Sequence, residues 1–127
     1  MTDTFTSSRI DDLPSIWDGM CKLVRSGLGL SAFGVNVLDI GPDYTTTDHT
    51  EAASGQEELY LVLSGKLQFK LGDEIVELGK HEAIRVPPGT WRGVWNDEPE
   101  DAELIIVSKR IEDPSADAET LEDFWPE

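Results

Sequence analysis

The feature that most restricts the fold is a run of strand-sized segments between Glu58 and Ser108, each closed by turn residues. Glu58–Leu63 is apolar and stops at Ser64-Gly65. Leu67, Phe69 and Leu71 alternate with Gln68 and Lys70, and Gly72-Asp73 then offers a hairpin turn. Glu74–Leu78 alternates again up to Gly79. Ala83–Val86 runs into Pro87-Pro88-Gly89, Trp91–Trp95 ends at Asn96-Asp97, and Glu103–Ser108 comes last. A period of two sends alternate side chains to opposite faces of a strand. Short strands spaced this regularly, with no helical pattern between them, predict an all-β sandwich or barrel and not a βαβ fold. Upstream, Ala32–Ile40 is rich in β-formers and ends at Gly41-Pro42, so it reads as another strand. Met20–Val24 reads as a strand too, and Arg25–Gly29, with two glycines, as a turn.

The 127 residues suit one domain, long enough to bury a core without disulfides or a structural metal. No apolar run approaches the roughly 18 residues of a spanning helix, so no membrane association is expected. Met1–Arg9 has no basic start followed by an apolar block, so no leader is expected. Cys21 is the single cysteine and reads as a small buried apolar residue, which favours a cytoplasmic location. Ten Lys plus Arg oppose 26 Asp plus Glu, a net charge of −16. Such a surface repels phosphate backbones and argues against nucleic acid as a partner. It also suits a halophilic, salt-rich cytoplasm, where screening weakens self-repulsion.

The organisation expected from these signals is an N-terminal arm over 1–19, a barrel over 20–108 and an acidic tail over 109–127. The first dozen residues are polar and read as loose. In the tail, Asp113-Pro114 is a helix start, and Leu121, Phe124 and Trp125 fall on one helical face, which predicts a short C-terminal helix.

Two segments say more. In the first, Gly41 is followed by His49-Thr50-Glu51, then by Gly55-Gln56-Glu57-Glu58, six residues and Gly65. In the second, Gly79 is followed by Pro87-Pro88-Gly89, two residues, Arg92, three residues and Asn96. These resemble the two motifs of the cupin superfamily, in particular its small single-domain members. The resemblance implies an antiparallel jelly-roll barrel (a double-stranded β-helix) with an open mouth for a ligand. Metal-binding cupins use three His and one Glu. Here His49 stands at the first His position and Glu51 at the second; in another register Thr47 and His49 take those places. Glu58 matches the Glu, and Arg92 stands where the third His belongs. Arginine has no lone pair and keeps its charge. The resemblance therefore implies a degenerate, metal-poor site in which Arg92 pairs with Glu58 or Glu51 in place of the ion.

The leading functional reading is a small-molecule-binding barrel with no cofactor, its site formed by His49, Glu51, Glu58, Tyr60 and Arg92. Tyr60 and Val62 share the face of Glu58 along their strand. The alternative is a metal-dependent dioxygenase or isomerase in which His49, Glu51 and Glu58 hold a manganese- or magnesium-like ion. A third reading makes His49 a general base beside Glu58 without metal. Trp91 and Trp95 have the opposite parity to Arg92 and are expected in the core or at a dimer contact. The cupin resemblance implies a homodimer, which an apolar outer sheet face would support. His81 is expected in a solvated loop, and Trp17 at the barrel mouth or under the N-terminal arm. The spacing does not name the small molecule.

Overall fold

The computed structural model describes residues 4–46, 50 and 55–109. They form strands β1 (Ser15–Ile16), β2 (Cys21–Leu23), β3 (Phe33–Ile40), β4 (Glu58–Ser64), β5 (Lys66–Leu71), β6 (Glu74–Gly79), β7 (Ala83–Val86), β8 (Arg92–Trp95) and β9 (Ala102–Lys109). One sheet has the order β1-β2-β3-β9-β4-β7 and the other β6-β5-β8. Every pairing is antiparallel. The all-β expectation therefore holds, and the strands read from alternation lie within a residue or two of their expected ends. No helix among the described residues is long and apolar enough to cross a membrane. The expected C-terminal helix, with Leu121, Phe124 and Trp125, lies outside the described residues.

The turns explain how the chain folds over. β5 and β6 form a two-residue hairpin, with Gly72 (φ 61°) in the first central position that a type II′ turn reserves for glycine. Gly65 sits where β4 leaves the large sheet for β5. Its φ is 78°, and a Cβ there would lie 2.8 Å from both Ala102 Cα and the Asp101 carbonyl. Pro87-Pro88-Gly89 then carries the chain from β7 in one sheet to β8 in the other.

The N-terminal third departs from expectation. Val24 ends no strand: Val24–Leu28 is a short helix, α1, in place of the turn expected over Arg25–Gly29. Gly29 stops it in the left-handed region at φ 74°, its N–H donating to the Arg25 carbonyl. Glycine at position 27 lets this helix approach the arm, because a Cβ there would lie 2.9 Å from Pro14 Cδ. The arm is also less loose than its polarity suggests. Ile10–Asp12 forms a 3₁₀ turn, Leu13 is buried, and β1 pairs with β2. Trp17 neither lines the mouth nor packs under the arm. It sits in the tight β1–β2 connection at φ 56°, and it is exposed.

The interior is layered along its axis. Even-numbered positions of β3, β4, β7 and β9, and odd-numbered positions of β2, face inward and pair in rows. Ile40 opposes Ala102 at one end; Cys21, Leu38, Leu104 and Val62 form the next row. Leu23, Asn36, Ile106, Tyr60 and Ile84 follow, then Gly34, Ser108, Glu58 and Val86. Leu67, Phe69 and Val94 of the small sheet fill the space opposite, and Tyr60 meets Phe69 edge-on with ring centroids 5.5 Å apart. Each such apolar side chain gains about 1.5–3 kcal/mol by burial. The apolar end is closed by Asn96, whose amide donates to the Ile40 and Glu100 carbonyls at 2.9 Å while its Oδ1 accepts from the Glu98 N–H. The opposite end is polar.

Candidate functional site

Two strand starts and one corner build the polar end. Glu58 opens β4 and Tyr60 follows two residues on, so both point inward. Arg92 opens β8 just after the Pro87-Pro88-Gly89 corner, and its parity matches that of the buried Val94 and Asn96. The three side chains converge. Arg92 Nη1 donates to Glu58 Oε1 at 2.6 Å, and the Tyr60 hydroxyl donates to that same oxygen at 2.7 Å. The rest of the guanidinium fixes the corner: Nε donates to the Thr90 carbonyl at 3.1 Å, and Nη2 to the Pro87 and Pro88 carbonyls. One side chain thus satisfies a carboxylate and three backbone acceptors at a turn that has few donors of its own.

Burial makes this cluster electrostatically stiff. Glu58, Tyr60 and Arg92 are each 1% exposed. They lie beneath the barrel mouth and not in it, which corrects the simplest reading of the motif. The Tyr60 hydroxyl is held well above its usual titration range, first by burial and then by the adjacent Glu58 carboxylate, with Arg92 opposing. Breaking a pair this deep strands a charge, whereas a surface pair is nearly neutral to remove. Arg85 and Glu57, bridged on the exposed side of the same corner, illustrate the second case.

The remaining sequence candidates divide clearly. His49 and Glu51 lie outside the described residues, as does Thr47 of the alternative register. His81 is exposed in the β6–β7 turn at φ 67° and takes no part. Cys21 is fully buried, and desolvation pushes its thiol up to about 12, so it is a core residue and not a nucleophile. Trp91 and Trp95 do point away from Arg92, but they are 58% and 44% exposed, so neither is a core residue. Sequence reasoning missed three positions around the cluster. Ser108 pairs with both Glu58 and Gly34, and Asn36 sits one row deeper across from Ile106. A Cβ on Gly34 would come within 3.3 Å of Ser108 Oγ, so glycine preserves the space over that hydroxyl. The available signal was parity: Ser108 and Asn36 are polar residues on the inward-facing register of strands otherwise filled by Leu and Ile.

The donors described here match the divalent-metal alternative poorly. Glu58 is the one buried carboxylate at this end among the described residues, and Oε1 already accepts from Arg92 and Tyr60. The guanidinium has no lone pair and would repel a cation a few ångström away.

Comparison with known proteins agrees with this architecture. A structure described as a cupin protein from Bacteroides fragilis superposes with a TM-score of 0.73 at 15% identity, covering 87% of this chain and 88% of that one. A sugar phosphate isomerase of the cupin superfamily from Silicibacter pomeroyi gives 0.68 at 18% identity over 82% and 75% of the two chains. An uncharacterised conserved protein with a double-stranded β-helix domain from Klebsiella pneumoniae gives 0.66 at 18% identity over 84% and 90%. Among curated proteins, none matches the sequence. The cupin-domain family Cupin_2 matches residues 37–108, which span the strands that build both the apolar layers and the Glu58–Arg92 end, so the chain belongs to the cupin family and has its jelly-roll fold.

Proposed function

We propose that this cupin binds a small, neutral, hydroxyl-bearing molecule at the polar end of the barrel and does so without a resident metal. The observation that carries the reading is the 2.6 Å pair between Arg92 and Glu58. The pair cancels its own charge, so this end offers polarity with no net charge to a ligand. The half-buried Ser108, in the row of Glu58, and Asn36, one row deeper, supply a hydroxyl and an amide, and Gly34 keeps clearance at Ser108. His49 and Glu51 join the site on the strength of the motif alone. Two of the similar structures are described as sugar phosphate isomerases, which supports a polyhydroxylated class of ligand. A phosphate group is disfavoured, because Arg92 is already neutralised by Glu58.

The test is an amide chemical-shift titration of the full chain with neutral sugars and polyols, with their phosphates, and with manganese and zinc. Neutral polyols are expected to shift Asn36, Tyr60 and Ser108, and Ser108→Val to abolish the response. Binding of phosphates alone overturns the neutral-ligand reading. Saturable one-to-one metal binding lost in His49→Ala overturns the metal-free reading in favour of a metal-dependent enzyme.

A further inference from the structure

The outer side of the small sheet holds a cavity that the interior site does not use. Register sets its rows. Thr45, Trp95, Gln68 and Glu77 form one row, and Gly93, Lys70 and Ile75 form the next. The strand residues among them have the opposite parity to Leu67, Phe69 and Val94, which fill the core from the other side of the same sheet. Thr46 fastens the flank: its N–H donates to the Val94 carbonyl at 2.9 Å, and its hydroxyl accepts from the Val94 N–H at 2.8 Å. Gly93 sends no side chain into the gap beside Lys70. A cavity of about 150 Å³ opens there, with Thr45, Gln68, Lys70, Ile75, Gly93 and Trp95 in its lining. Ile75 and Trp95 are 66% and 44% exposed, so apolar surface around a concave site faces solvent. Lys70 is the one charged residue in the lining. At the outward positions of the three strands, Lys66 and Lys70 stand against Glu77, which already accepts from the Gln68 amide at 2.7 Å. On a chain of net charge −16, this face is locally positive.

We propose that this cavity binds a small monocarboxylic acid with a flat aromatic body, its ring against Trp95 and Ile75 and its carboxylate on Lys70. Size, shape and charge each restrict the ligand. An apolar cavity of about this volume takes one six-membered carbon ring. The Trp95 indole offers a face or an edge to such a ring. The Lys70 ammonium has three donors, so it can hold a carboxylate alongside another partner. The lining supplies a single cation, and the rest of the chain penalises every further negative charge, so a monoanion is favoured over a phosphate ester. The interior end does not suit the same acid, because Arg92 is already neutralised by Glu58. The outer site therefore stands apart from the interior one and does not depend on it.

The test is an amide chemical-shift titration of the full chain with phenylacetate, at an ionic strength of about 0.15 M that screens the long-range field of the chain. The neutral analogue is 2-phenylethanol and the dianion is phenyl phosphate. Phenylacetate is expected to bind one-to-one and to shift Lys70, Gly93 and Trp95, with the alcohol and the phosphate weaker by about tenfold. Lys70→Gln should bring phenylacetate down to the level of the alcohol and leave the alcohol unchanged. Ile75→Asp, at an exposed position, should weaken both, because it removes the apolar wall. No saturable shift, equal affinity for acid and alcohol, or a Lys70→Gln variant that binds the acid as the parent does overturns the proposal. Shifts confined to Asn36, Tyr60 and Ser108 assign the acid to the interior and overturn it equally. So do Trp95 shifts that follow protein concentration with no acid present, which give the face to a second copy of the chain.

Discussion

The two ends of the barrel interior each bury a polar anchor, with opposite chemistry. At the closed end Asn96 is neutral and is spent entirely on backbone groups of Ile40, Glu98 and Glu100. At the polar end Arg92 and Glu58 are both charged, and Tyr60 joins the same carboxylate oxygen. A neutral amide is cheap to desolvate and holds loops in place. A buried ion pair is costly to desolvate and is tolerable only while both partners are present. The closed end is therefore a structural seal, and the polar end holds charge that apolar side chains of similar volume could replace without loss of fold.

That contrast is open to measurement. The largest effect belongs to the charged end. Arg92→Leu leaves Glu58 buried against an apolar side chain and takes donors from the Pro87, Pro88 and Thr90 carbonyls. The expected loss is about 3–5 kcal/mol in urea unfolding. Arg92→Leu combined with Glu58→Leu should recover most of it, since no charge is then stranded. A double variant as unstable as the single one would break the comparison.

The closed end should respond to shape before polarity. Gly65→Ala drives a Cβ against Ala102 and Asp101 backbone atoms from a left-handed conformation. A cost of about 2–3 kcal/mol is expected, seen as a lower urea midpoint with an unchanged slope. Asn96→Ala removes three hydrogen bonds. Its expected cost is about 2 kcal/mol, within the range for leaving buried backbone groups unsatisfied. If Asn96→Ala proved as damaging as Arg92→Leu, charge would not be what separates the two ends.

The smallest effect is absent at neutral pH and appears only in alkali. The native state keeps the Cys21 thiol protonated up to about 12, against an ordinary value of 9.0, and the Tyr60 hydroxyl well above 10.0. The unfolded chain releases these protons near their ordinary values. Above about pH 9 the unfolded state therefore binds fewer protons than the native state. Stability is untouched below that pH and falls above it, by up to about 1.4 kcal/mol per pH unit for each group. Cys21→Ala should flatten the fall between about pH 9 and 10, leaving the later fall due to Tyr60. A stability profile that Cys21→Ala leaves unchanged in that interval would contradict the burial of the thiol.

Much of this was legible in the residues. Alternation gave β5 and β6, and turn residues bounded β4, β7 and β8. The cupin spacing brought Glu58 and Arg92 together across 34 positions of chain. Parity put Tyr60 beside them. What escaped had weak local signals. Helix α1 is only five residues long and contains a glycine, so no periodicity announces it. Gly27 allows it to approach Pro14 closely, a contact with no signature in its own segment. Trp91 and Trp95 show the converse: their alternation was right, and of the two places expected for them the core is excluded by their exposure, because period two tells opposite faces apart without saying which one is covered.

The sequence by itself determined the strand pattern, the corners at Gly65 and Pro87-Pro88-Gly89, and the shared parity of Glu58 with Tyr60 and of Arg92 with Val94. These are properties of adjacent residues, set by backbone sterics and side-chain chemistry. Only the tertiary structure decided that the Arg92–Glu58 pair is buried, that Ser108 and Gly34 share the row of Glu58, and that Asp39 faces Glu103 on the outer side. Those facts depend on the register between strands far apart in the chain. Register is fixed by the packing of all the rows at once, so no single segment carries it.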